Sequence, residues 1–243
     1  VLSGSLIPHP YGLVKYGGTK DDRVSGHTAG FRQPLATRPV MTNAPAMTRY
    51  TSSITAGSLK VPESRVIAGL MLRGLKGKPF QQAIGRENVL QARSKTTSQG
   101  LAKLIRRRLE HLPDPMLKLV RDGSVIEATH TCLVAAVMDS FLLGDFLDLV
   151  MRPLYRTFKE SLPLSTWRDY LEGCRSRDPE MPRWTDATTS RLRSSVFKTL
   201  AEAGYLNNTK ERRLQKVHIV RPVLKHLKDT DNKYALRCVE VAQ

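Results

Sequence analysis

From Pro62 onward, apolar residues recur three and four apart along most of the chain, the spacing of helices that bury one face. Pro62 suits a first helical turn, and Val66, Ile67, Leu70 and Met71 follow at helical spacing until Gly74 and Gly77 break the pattern. Pro79 opens a short second helix that the pattern carries to Glu87. A third is predicted from Thr96, an N-cap with Gln99 three residues on as its capping box, up to a stop at Pro113.

The apolar density peaks over residues 128–151, where Asp139, Asp145 and Asp148 interrupt it. No uncharged run there reaches the roughly 18 residues of a spanning helix, and three aspartates are costly in hydrocarbon. The stretch is therefore read as core helices near 124–143 and 145–160, with a further helix from Thr166 whose capping box Asp169 completes. The acids of this region read as solvated helix faces. Beyond it, Thr185 or Asp186 caps a helix running to Ala203, and Gly204 supplies a left-handed stop. Asn207-Asn208 is a turn candidate, and Val217 and Ile219 alternate with polar residues. A small β-hairpin is expected near residues 205–219, followed by a helix from Arg221-Pro222 to Lys228.

The expected fold is mainly α. Winged helix-turn-helix-like modules at the N- and C-terminal ends (47–121 and 183–243) flank a helical middle (122–182). Residues 1–46 hold six glycines and five prolines with no period. They are set aside as an irregular extension, either natural upstream sequence or an added tail.

Charge sharpens this division. The 243-residue chain carries a net +17. Residues 73–121 have twelve basic and three acidic side chains, 122–182 have six and ten, and 183–228 have eleven and three. Two basic blocks around an acidic middle point to two anion-facing surfaces, nucleic acid first and anionic membrane second.

In the first block, Leu101, Leu104, Ile105, Leu109 and Leu112 share one helix face, and Gln99, Lys103, Arg106, Arg107 and Glu110 the other. Arg108 falls at the apolar edge, where its stem packs and its head is expected to reach water. Lys95, Thr96, Thr97, Ser98 and Gln99 stand at the helix start, where hydroxyls and N–H groups bind phosphate and Gln reads adenine. In the last block, Leu192, Val196, Leu200 and Ala203 face inward with Phe197 at the edge, while Arg191, Ser194, Ser195 and Lys198 face outward and Arg193 adds charge. Lys210, Arg212, Arg213 and Lys216 form a basic wing tip suited to the DNA backbone or minor groove. Trp167 and Trp184 read as packing residues. Aromatics do not alternate with basic residues, which argues against a single-strand stacking surface.

Catalysis is not indicated. The chain has no phosphate-cradling glycine loop, nucleophile elbow or metal-ligand spacing, and no cofactor is expected. Asp145 and Asp148 share a helix face, where caps or ion-pair partners are the ordinary role. Cys132, Cys174 and Cys238 are far apart and read as free thiols of a reducing cytosol.

Two stretches carry a resemblance. "YTSSITAGSLKVPESRVIAGLML" leading into "ENVLQARSKTTSQGLAKLIRRRLEHLP", and "RWTDATTSRLRSSVFKTLAEAGYL", resemble the BrxA family of BREX bacteriophage-exclusion systems, by their order and spacing and over Tyr50 to the C-terminal end. The resemblance implies a cytoplasmic, helical, non-enzymatic protein that binds double-stranded DNA in anti-phage defence. Other BREX proteins (methyltransferase, phosphatase-like and ATPase subunits) would be its partners. The family's likeness to the NusB antitermination fold keeps RNA binding as an alternative, beside a protein-docking scaffold. About nine residues separate the predicted second and third helices, longer than a usual helix-turn-helix turn of three or four.

Overall fold

The structure, a computed structural model, describes residues 48–242. The expected extension over 1–46 lies outside the described residues. One apolar core runs through all three charge blocks.

Helix α1 (Val61–Leu72) has Pro62 in its first turn and buries Ile67, Ala68 and Leu70, with Val66 and Met71 packed at its edge. Helix α2 (Gly77–Gly85) starts two residues before Pro79, because Gly77 takes a left-handed φ of +56° and turns the chain into it. Helix α3 (Lys95–Leu109) is capped by Ser94, whose hydroxyl accepts from the Thr97 N–H at 3.1 Å. The predicted Thr96–Gln99 box is therefore corrected: both residues lie inside the first turns. Pro113 bars continuation of α3, yet it also caps a further short helix, α4 (Asp114–Asp122), which buries Met116, Leu117 and Val120 against α1 and α5.

The middle is built around α5 (Val125–Asp139), opened by a reciprocal Ser124–Glu127 capping box and buried along most of its length. The chain breaks at Ser140, extended at φ −141° and ψ 101°, not near Gly144. It resumes as α6 (Phe141–Phe146), a π-helical turn (Leu147–Met151) and α7 (Arg152–Arg156). Gly144 is needed inside α6 because Tyr234 packs where a Cβ would stand. No helix among the described residues is long and apolar enough to cross a membrane. Helix α8 (Ser165–Arg177) lacks the expected Thr166–Asp169 box: its N-cap position is Leu164, which supplies no side-chain bond. Trp167 is buried, as its packing role required, and lies with Phe146, Tyr170 and Phe197 in an aromatic cluster with centroids 5.0–6.3 Å apart.

Helix α9 (Asp186–Glu202) is capped by Thr185 and ends before Gly204 at φ +87°. Leu192, Val196, Phe197 and Leu200 are its buried face. Helices α10 (Arg221–Asp229) and α11 (Lys233–Val239) close the chain.

The expected hairpin over 205–219 is corrected. No strand forms among the described residues. Two isolated antiparallel bridges take its place, Leu206 with Leu214 and Ser161 with Arg213. Residues 212–215 are thus bonded on both sides. On one, Leu162 N–H donates to Arg212 O and Leu214 N–H to Glu160 O; on the other, Asn207 N–H donates to Arg213 O and Gln215 N–H to Tyr205 O. The Tyr155 hydroxyl then takes the Gln215 carbonyl at 2.7 Å. Val217 and Ile219 are buried, as the alternation implied, but they turn into the helical core and leave the paired segment.

Candidate nucleic-acid interface

The two basic blocks present their charge differently. On α3 the arginine run is consumed internally. Arg106 lies 4.7 Å over the Phe80 ring and donates to Glu110 at 2.9 Å. Arg107 donates to both Asp139 oxygens at 2.6 and 2.8 Å. Arg108, only 4% exposed, donates to the carbonyls of Ser58 at 2.6 Å and Gly57 at 3.0 Å. The expectation that its head reaches water is corrected: the guanidinium satisfies two backbone carbonyls of the segment entering α1. Burial lowers the Arg108 pKa, opposed by the nearby Asp139 charge.

Asp139 takes this cluster's charge. Burial alone would raise its carboxyl, but His111, Arg107 and Arg108 together outweigh that and hold it at about 2. Asp139 is thus a largely buried anion between helices, not a solvated face. The same correction applies to its neighbours. Asp145 is 6% exposed and accepts from Arg49 at 3.0 Å, the Tyr50 hydroxyl at 2.7 Å and the Tyr234 hydroxyl at 2.9 Å. Asp148 accepts from Arg152 and Arg237, each at 2.9 Å. Tyr234 and Arg237, one turn apart on α11, match Asp145 and Asp148, so the shared carboxylate face is an ion-pair seam. Asp178 completes it by accepting from the Thr48 hydroxyl at 2.7 Å and the Arg49 N–H at 2.8 Å. No metal-binding group of His, Cys, Asp and Glu exists among the described residues.

At the start of α3, Ser98 is fully buried and donates to the Ile84 carbonyl at 2.9 Å, so it belongs to the α2–α3 contact and not to an outer face. Thr97 faces solvent but shares its hydroxyl with Ser94 at 2.9 Å. Lys95 and Gln99 drape over Gly85 at the end of α2, and Thr96 and Lys103 are exposed. Lys95 and Lys103 have no carboxylate partner among the described residues. The 86–94 connector adds exposed Arg86 and Arg93, likewise without a carboxylate partner among the described residues. A charged loop next to a basic helix was a visible signal for both.

The last block is displayed more openly. On α9, exposed Arg191 and half-buried Arg193 have no carboxylate partner among the described residues. Ser194 is exposed but back-bonded to Ser190 O at 2.9 Å. Lys198 stands 4.0 Å from Glu202, itself held by the Leu59 N–H at 2.8 Å. The turn after α9 is stapled by asparagines: Asn207 Oδ1 accepts from Asn208 and Arg213 N–H, and Asn208 Oδ1 from Lys210 and Glu211 N–H. Arg212 adopts a left-handed φ of +58° and donates to Leu162 O at 3.1 Å, which pins the turn from within. Arg213 stands 3.7 Å from Glu211, while Lys210 and Lys216 are exposed with no carboxylate partner among the described residues.

The BrxA family profile matches residues 48–231. The chain is 44% identical to the BREX protein BrxA of Paramagnetospirillum magneticum over 80% of its own length and 98% of that protein. It is 33% identical to the BREX protein BrxA of Escherichia coli strain HS over 70% and 80% of the two chains. The crystal structure of an uncharacterized protein from Magnetospirillum magneticum superposes with a TM-score of 0.74 at 44% identity, covering 79% of this chain and 99% of that one. The match starts at Thr48, at the first residues bonded into the carboxylate seam, and the chain belongs to the BrxA family.

Proposed function

We propose that the protein is a double-stranded-DNA-binding component of a BREX phage-defence system, acting by binding and not by catalysis. Membership in such a system follows the identity of its BREX relatives. The observation that carries the DNA reading is the C-terminal display of cations without carboxylate partners among the described residues. Arg191 and Arg193 stand on α9, with Lys210 and Lys216 on the stapled turn that follows it.

The backbone order supports this reading. Helix α7, an extended segment at Ser161, helices α8 and α9, and a turn returning at Arg213 follow one another, and Ser161 pairs with the returning arm. That is the order of a winged helix reduced to two bridges. A helix of this kind fits a major groove, and its wing follows the backbone or the minor groove. The N-terminal module contributes Lys95, Gln99, Lys103, Arg86 and Arg93 as a weaker second surface. The three buried, unbridged cysteines suit a reducing cytoplasm, and other BREX proteins are the expected partners.

Duplex binding measured by fluorescence anisotropy tests the proposal. Replacing Arg191, Arg193, Lys210 and Lys216 together with Ala weakens affinity for every sequence at least tenfold. Unchanged affinity overturns the C-terminal interface.

A further inference from the structure

Phe158 breaks two local rules at once. It is 91% exposed, more than any other large apolar side chain among the described residues. Its backbone lies in the left-handed region at φ +52°, where glycine is favoured. The position is fixed and not a frayed end: the Phe158 N–H donates to Tyr155 O at 3.1 Å and the Lys159 N–H to Leu154 O at 3.0 Å, closing α7. The left-handed backbone costs a bulky aromatic stability, its exposure offers no compensating burial, and such uncompensated strain collects at functional sites.

Its surroundings indicate the use. Arg156 and Lys159 flank it, exposed and without a carboxylate partner among the described residues. Glu160 is the one acid in the immediate run, and its backbone carbonyl is taken by Leu214. Ser161 pairs with Arg213, so Phe158 lies three residues, at most about 10 Å of extended chain, from the residue that pairs with this cation of the turn. Exposed cations on both sides of an exposed aromatic suit a polyanion whose base steps accept an apolar wedge. We propose that Phe158 is an apolar wedge that stacks against a base of the bound duplex, with Arg156 and Lys159 on the flanking phosphates. This rests on the DNA-binding reading above.

The test uses the full chain and a short duplex carrying a single 2-aminopurine, placed at each of several positions in turn. Wild-type protein raises the fluorescence at one or a few adjacent positions, reporting an unstacked base. Phe158→Gly is the informative variant because glycine suits the left-handed backbone, so it folds with an unchanged or higher melting temperature. It loses the fluorescence rise and binds about tenfold more weakly, while Phe158→Trp keeps the affinity. If wild type binds the duplex with no rise at any position, or Phe158→Gly behaves as wild type, the wedge is overturned and DNA binding stands. If wild type does not bind the duplex at all, both readings fall.

Discussion

Arg107 and Asp139 are joined by two hydrogen bonds, 2.6 and 2.8 Å, that tie the end of α3 to the end of α5. The sequence places Arg107 on an outward face and Asp139 in a patch of acids, and each is half of the other's explanation. This pair separates structural cations from cations available to a ligand, and several expected outcomes follow from that separation.

Arg108→Ala removes the donor to two carbonyls and one of the cations beside a largely buried carboxylate, and is expected to cost about 3 kcal/mol. Arg107→Ala, at a 43% exposed side chain, costs about 1 kcal/mol or less because solvent screens the pair. Chemical denaturation of the two variants ranks them, and equal costs contradict the assignment.

Acid unfolding should carry the signature of Asp139. Its folded pKa, about 2, lies below the roughly 3.9 of an unfolded aspartate. The stability it contributes is therefore present above pH 4 and lost as pH falls through the folded value. Asp139→Asn lowers stability at pH 7 and flattens the loss between pH 4 and 2. A variant whose acid profile matches wild type contradicts the pairing.

His130 titrates in a different window. Its Nδ1 accepts the Val220 N–H at 3.2 Å, so the ring is neutral in the fold, and burial lowers its pKa from the usual 6.5. The unfolded chain binds the extra proton first, so stability falls as pH drops below 6.5 toward the lower folded value. His130→Gln, followed by thermal melts from pH 7.5 to 5, removes that slope if the account holds.

Gly144→Ala places a methyl group against Tyr234 and displaces the hydroxyl that donates to Asp145. The expected cost is about 2–3 kcal/mol from overpacking and a lost charge-assisted bond. Gly144→Ala combined with Tyr234→Phe costs less than the sum of the two, since both act on one contact.

Arg212 and Arg213 are neighbours with opposite roles. Arg212→Ala loses the guanidinium bonds to the Leu162 and Lys210 carbonyls that pin the turn, so it lowers stability by about 1–2 kcal/mol. Arg213→Ala leaves the melting temperature unchanged and weakens DNA binding. Reversal of the two phenotypes removes Arg213 from the interface.

Helix positions were legible where a cap or a glycine marked them, as with Pro62, Thr185 and Gly204. They are ambiguous where two signals compete. Ser94 wins the capping of α3 over Thr96 because the cap must stand extended before the helix, and periodicity does not fix that residue. Helix α4 shows only three buried positions behind a proline that reads equally as a stop. Val217 and Ile219 alternate like a strand but bury against helices, so their alternation overstates the hairpin. The candidate surface was legible as charge but not as availability. Nothing local to Arg106-Arg107-Arg108 reveals that Asp139, some thirty residues on, neutralises one of them, or that Gly57 and Ser58 bury another.

The central claim is that cations on α9 and its following turn, without carboxylate partners among the described residues, grip phosphates. Its most direct test is duplex affinity against salt. Neutralising at least four phosphates predicts a log–log slope near −4, and each of Arg191→Ala, Arg193→Ala, Lys210→Ala and Lys216→Ala makes it shallower by about 1, while Arg107→Ala leaves it unchanged. A slope near zero, or one that Arg107→Ala alters and the α9 variants do not, contradicts the account.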